Sequence, residues 1–61
     1  MGKRALRRRI ESLVARIEEH HVKIEFERSK DMPDVGLIRH WEMEIEAFEK
    51  SADRARKRLE P

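Results

Sequence analysis

Apolar residues recur along the first half of the chain at alternating intervals of four and three residues. The spacing runs from Leu6 to Ile24 and continues to Glu27, with Val14 beside it. Such a heptad pattern places its members on one face of a helix. The residues between them are mostly Arg, Glu, Ala and Lys, which favour helix. The pattern therefore predicts a first helix over about residues 4–30.

The chain contains one segment where a helix must stop, and Pro33 lies at its centre. Proline has no backbone N–H, and its ring clashes with the preceding helical turn. It also disfavours helical geometry at Met32. Either Asp31 or Asp34 can cap a second helix, because a carboxylate accepts the free N–H groups of a first turn. We predict a turn over about residues 31–34.

A second apolar stripe runs from Ile38 to Leu59 and predicts a second helix over about residues 35–60. In an antiparallel pair, the numbers of facing residues have a constant sum. A sum of 65 pairs Ile24 with Trp41 and brings every position of one stripe opposite a position of the other. The predicted fold is therefore all-α, an antiparallel two-helix hairpin that forms a single domain over residues 1–61.

Two helices alone leave one side of the apolar stripes in water. A chain of 61 residues also buries a small share of its surface, and such chains usually need a disulfide, a metal or a partner. We therefore predict a homodimer that forms a four-helix bundle, with a monomeric hairpin as the alternative. The residues assigned to the core and dimer interface are Leu6, Ile10, Leu13, Val14, Ile17, His20, Ile24, Ile38, Trp41, Ile45, Phe48, Ala52, Ala55 and Leu59.

The two stripes and the turn from Asp31 to Asp34 resemble a known family. A short two-helix chain whose layers mix Ala with large aliphatic residues resembles the ROP-type RNA-modulator fold. The resemblance implies a hairpin that closes as a dimer. In that family, polar and aromatic residues on the outer face of the first helix contact RNA. No residue here matches them, so the resemblance implies the fold and not the activity.

Charge is concentrated at what becomes the open end of the hairpin, residues 1–10 and 50–61. These segments hold ten basic and two acidic residues, 10 − 2 = +8, whereas residues 11–49 hold five basic and eleven acidic residues, 5 − 11 = −6. The open end favours nucleic acid as an alternative partner, because clustered cations release counterions from phosphates. A structural interpretation is that these cations complement the second helix dipole or an acidic partner. The candidate nucleic-acid residues are Arg4, Arg7, Arg8, Arg9, Arg54, Arg56, Lys57 and Arg58.

His20 lies in the apolar stripe and has Glu18 two residues before it. Carboxylate–histidine pairs hold metals in some four-helix bundles, so a metal-binding bundle is a third hypothesis. It is the least favoured, because Glu18 lies on an outward position and both ligands must point inward. His40 and Glu44 also lie off the stripe. We expect no metal and no cofactor, and we expect His20 to be hydrogen-bonded across the dimer.

Several classes of function have little support in the composition. There is no Cys or Tyr and no Gly-rich phosphate loop, so we expect that the chain is not an enzyme. No run of residues is long and apolar enough to span a bilayer, and the lack of Cys favours a cytoplasmic protein. Val22, Phe26 and Met43 lie on outward positions and form a candidate second contact surface. The predicted function is a self-associating interaction or structural module, whose partners are itself and RNA, DNA or another protein.

Overall fold

The computed structural model describes residues 2–60, which form two long helices. α1 spans Gly2–Arg28 and α2 spans Val35–Leu59. The helices pack against each other along their length, and residues 2–60 contain no strand. The Cα atoms occupy an elongated volume of 48 × 14 × 12 Å. The predicted all-α class and the helical hairpin are confirmed.

The contacts of His20 define how α1 faces α2. Its Nε2 atom lies 3.3 Å from Oε1 of Glu44, and its ring meets the ring of Phe48 edge-on at a centroid distance of 5.3 Å. Glu44 and Phe48 flank Ile45, the residue that the constant sum of 65 places opposite His20. At the open end of the hairpin, Leu6 of α1 and Ala55 of α2 line one groove between the two helices. Contacts made by later residues of α1 involve earlier residues of α2, so the two helices are antiparallel.

α1 ends at Arg28, two residues before the predicted end, because local hydrogen bonds close its last turn. The Ser29 hydroxyl donates to the carbonyl of Phe26 at 2.7 Å, and the Lys30 N–H donates to the carbonyl of Glu27 at 3.2 Å. These short-range bonds occupy carbonyls that a continuing helix would use. The turn therefore comprises residues 29–34.

α2 begins immediately after Asp34, which is its N-cap. The Asp34 backbone is extended, with φ −83° and ψ 98°, and its carboxylate accepts the N–H of Leu37 at 3.0 Å. This contact satisfies one of the free donors of the first turn. Of the two aspartates that the sequence offers as caps, the structure uses Asp34.

Large isoleucines form the core near the turn. Ile24, Ile38 and Ile45 are buried, and Ile17 and Trp41 pack against them. Towards the open end the buried residues are Ala52 and Ala55, which bring little volume. The remaining residues assigned to the core and dimer interface are half-buried in the single hairpin, and these are Leu6, Ile10, Leu13, Val14, Ile17, His20, Trp41, Phe48 and Leu59.

Replacement of Ile24 by Ala should lower the free energy of unfolding by about 2–5 kcal/mol, because it leaves a cavity in the isoleucine cluster. Val22, on the same helix, is 66% exposed, so Val22→Ala should change it by less than about 0.5 kcal/mol. Urea unfolding followed by circular dichroism at one protein concentration measures both. Equal losses in the two variants would contradict this core.

Candidate functional site

Glu27 connects the end of α1 to the start of α2. Its Oε2 atom accepts the backbone N–H of Asp34 at 3.0 Å, and its Oε1 atom lies 3.0 Å from Nζ of Lys30. The residue is only 6% exposed, although it is charged. In a capping box, the third residue of a helix returns to the N–H of its own N-cap. Here that third residue is Leu37, and Glu27 of the other helix supplies the carboxylate instead.

The environment of Glu27 favours its ionised form. The Asp34 N–H, followed by the hydrogen bond and charge of Lys30, holds the pKa of Glu27 below its ordinary value of 4.5, against the opposing effect of burial. The heptad spacing continues to Glu27, which places this carboxylate next to the turn. The structure selects the N–H of Asp34, so the group stabilises the turn.

His20 is held from both sides of its ring. Its Nδ1 atom lies 2.8 Å from the carbonyl oxygen of Arg16. A carbonyl oxygen only accepts, so Nδ1 carries the hydrogen and Nε2 of a neutral ring presents a lone pair. That lone pair faces Oε1 of Glu44 at 3.3 Å, and an ionised carboxylate also only accepts. The second contact becomes a hydrogen bond when Nε2 also carries a proton.

This geometry differs from the partner expected for His20. We expected His20 to form a hydrogen bond across a dimer. The structure instead gives His20 a carboxylate of the same chain, Glu44. A protonated His20 therefore forms an ion pair within the hairpin.

Glu44 also lies 3.2 Å from Nε2 of His40, so two histidines share one of its oxygens. The sequence interpretation placed Glu44 off the apolar stripe. Its burial follows a heptad position that it shares with Leu37 and Ser51, and all three are half-buried. That spacing of seven residues could have identified Glu44 as half-buried. A search for apolar residues misses this position, because Leu37 is apolar whereas Glu44 and Ser51 are polar.

The metal hypothesis requires several ligand side chains that converge on one point. Glu18 is exposed while His20 is half-buried, as the stripe predicts. Residues 2–60 contain no group of three His, Asp or Glu side chains with the geometry to hold a metal ion. Glu44 contacts His20 and His40, and each contact becomes an ion pair only when that histidine is protonated.

The candidate nucleic-acid residues divide into two groups at the open end. Arg9 of α1 comes together with Arg54 and Arg58 of α2 around one groove. Arg56 lies outside this groove and pairs with Asp53 at 3.3 Å. The remaining candidates are exposed and do not line the groove, and these are Arg4, Arg7, Arg8 and Lys57.

The candidate second contact surface is exposed. Val22, Phe26 and Met43 have exposed fractions of 66, 67 and 66%, and Nζ of Lys30 lies 5.6 Å from the ring centroid of Phe26. Two further apolar side chains that the sequence interpretation did not include are also exposed, Met32 at 89% and Val35 at 72%. They belong to the turn and to the start of α2, outside both stripes.

Comparisons with protein-family models, curated proteins and solved structures found no match. The resemblance to the ROP-type fold therefore stays a prediction based on architecture. Neither α1 nor α2 contains an apolar stretch of the length and low charge that crossing a bilayer requires. The candidate sites are consequently interpreted from the contacts of this chain alone.

Glu27→Gln should reduce the loss of stability on acidification. A group whose pKa is lowered in the folded state contributes stability above its unfolded pKa, and this contribution disappears as the pH falls through the folded pKa. For Glu27 the contribution is complete above pH 4.5 and is lost below it. Thermal unfolding at neutral pH and below pH 4 measures the difference.

Exposed Glu25 provides the matched control for this experiment, because it lies on the same helical turn. Glu25→Gln should retain the acid-dependent loss of the wild type. If Glu27→Gln and Glu25→Gln lose the same stability between the two conditions, Glu27 does not hold the turn through its charge.

The neutral His20 ring should carry its hydrogen on Nδ1. Long-range proton–nitrogen NMR spectra at about pH 8, where a free imidazole is neutral, distinguish the two tautomers. Exposed His21 is the internal control and should show a mixture, since none of the side-chain hydrogen bonds among residues 2–60 involves its ring. A His20 ring protonated on Nε2 alone would contradict the contact with Arg16.

Proposed function

We propose that this chain is a self-associating helical module, a homodimer of hairpins that acts as an interaction or structural scaffold. One observation carries the proposal. The large apolar residues of the stripes, among them Leu13 and Phe48, are only half-buried in the hairpin. A second copy is the partner that this geometry favours, because a stripe shared by two identical hairpins forms the core of a four-helix bundle.

The accessible surface of the hairpin is large enough to bind a second copy of the chain. The chain has an accessible surface of 5324 Å² and a mass of 7.4 kDa. A compact protein of that mass exposes about 4,200 Å², so the hairpin exposes roughly 1,100 Å² more. A standard protein interface buries about 800 Å² of each partner. The excess is therefore sufficient for a stable dimer.

Charge favours one orientation of the two hairpins. The open end carries +8 and the remainder of the chain carries −6. Hairpins that run in opposite directions bring each open end alongside the acidic part of the other chain. Hairpins that run in the same direction bring the two open ends together, and like charges within a few ångströms repel. The proposed dimer therefore has its two turns at opposite ends.

Leu13→Gln should weaken the dimer by at least about tenfold, because it places an amide in the shared core, and a tenfold change corresponds to about 1.4 kcal/mol. Val22→Gln, on the exposed face, should leave the association unchanged. Sedimentation equilibrium over a range of protein concentrations measures the dissociation constant of both variants and of the wild type.

The same experiment at low and high salt tests the orientation. Salt screens the attraction between opposite charges, so it should weaken a dimer whose turns lie at opposite ends. A dimer that strengthens with salt would contradict that orientation. A wild-type chain that is monomeric and fully helical at every concentration would contradict the proposed function itself.

A further inference from the structure

A groove with a cavity volume of about 150 Å³ lies at the open end of the hairpin, between α1 and α2. Buried Ala55 and half-buried Leu6 form its apolar part. Polar side chains supply the rest of its lining, and these are Arg9, Ser51, Arg54 and Arg58. The groove thus combines three guanidinium groups with one hydroxyl, and no carboxylate of residues 2–60 lines it.

The fold brings these cations together from distant parts of the sequence. Arg54 and Arg58 are four residues apart on α2, and this spacing places both on the same side of the helix. Arg9 comes from α1, and the constant sum of 65 places it opposite position 56, midway between Arg54 and Arg58. Ser51 lies three residues before Arg54, at the end of the groove nearer the turn.

The three groove arginines have no carboxylate partner among residues 2–60. Two ion pairs occur near the open end in residues 2–60, Arg56 with Asp53 at 3.3 Å and Lys50 with Glu46 at 3.4 Å, and neither involves a groove arginine. Within that range, no carboxylate lies within 4.0 Å of Arg9, Arg54 or Arg58. Three cations around one groove repel each other until an anion lies between them.

A phosphate group suits this lining better than a carboxylate does. A guanidinium group donates two parallel hydrogen bonds to neighbouring oxygens of a phosphate or of a carboxylate, so the fork alone does not distinguish the two anions. A tetrahedral group also presents oxygens in several directions, so it can accept from both helices at once. The Ser51 hydroxyl adds a neutral donor.

We propose that the groove formed by Arg9, Ser51, Arg54 and Arg58 binds a backbone phosphate of a nucleic-acid duplex. The surrounding cations extend the site beyond one phosphate, because Arg4, Arg7, Arg8 and Lys57 are exposed at the same end. No aromatic side chain lines the groove, so bases have no surface on which to stack. Contacts to phosphates fix a protein on a duplex without selecting its sequence. All of the lining belongs to one hairpin, so no residue of a second copy is needed to form the groove, but Leu6 and Ala55 also belong to the proposed dimer interface.

The test compares two variants that remove the same charge from α2. Arg54→Gln with Arg58→Gln removes two groove cations, whereas Lys50→Gln with Arg56→Gln removes two cations that lie outside the groove and are paired with Glu46 and Asp53. Fluorescence anisotropy with a labelled mixed-sequence RNA duplex measures affinity over a series of salt concentrations. Circular dichroism checks that both variants retain the helix content of the wild type.

The groove variant should bind the duplex at least about tenfold more weakly, and its salt dependence should fall by about two phosphate contacts. The control variant should change affinity by less than about threefold, because its residues do not line the groove. As a measurement that requires no substitution, NMR signals of the Arg9, Arg54 and Arg58 side chains should shift on addition of duplex, and that of Arg56 should not.

Four results would overturn the proposal. The wild type could fail to bind the duplex, or the two variants could lose equal affinity, which would indicate diffuse attraction without a site. Inorganic phosphate or pyrophosphate could displace the duplex at equimolar concentration, which would identify a small phosphate as the ligand. The groove variant could instead weaken the dimer in sedimentation while it retains duplex binding, which would assign the groove to an acidic side chain of a second copy.

Discussion

The hydrogen bond from the Asp34 N–H to Glu27 is the interaction on which the hairpin depends. It joins the last turn of α1 to the N-cap of α2 through a single carboxylate, at 3.0 Å. The Asp34 side chain in turn caps α2 through the N–H of Leu37. Because the same two residues end one helix and start the next, the turn has little freedom to shift. The position of the turn then determines which residues of the two stripes face each other.

A hairpin of two helices forms a core with only two layers of side chains. Near the turn, Ile24, Ile38 and Ile45 supply enough volume to exclude water. Towards the open end, Ala52 and Ala55 bury themselves but leave Leu6 and Leu13 half-exposed. Two helices cannot surround a stripe of large residues, whatever their register. The proposed second copy supplies the missing side, and it explains why large residues persist where the facing helix carries alanine.

Folding and charge are separated along the length of the molecule. The turn end contains the buried isoleucines and the Glu27 contact, and its charges are arranged in short ion pairs such as that between Arg28 and Glu42 at 3.1 Å. This pair is exposed and contributes less than about 1 kcal/mol. At the open end, Arg9, Arg54 and Arg58 have no such arrangement among residues 2–60. Cations that the fold does not use are available to a ligand, which is the physical basis of the proposed phosphate site.

The sequence by itself determined the two helices, the position of the break and the residues that face inward. Pro33 cannot lie in a helical interior, and apolar spacing of three and four residues has only one helical interpretation, so these features needed no knowledge of contacts. Half-burial of Val14 and exposure of Val22 follow the stripe directly.

Only the tertiary structure decided which polar groups meet. The pairing of Glu27 with Asp34, of His20 with Glu44, and of Arg9 with Arg54 and Arg58 depends on side chains from two helices. The heptad positions of His20, Glu27 and Glu44 indicate burial, but they do not indicate which partner compensates the desolvation of each polar side chain. The partner of each polar group is known only once the two helices lie side by side. The heptad pattern predicts which helix faces pack together, but it does not predict which atoms a long side chain contacts.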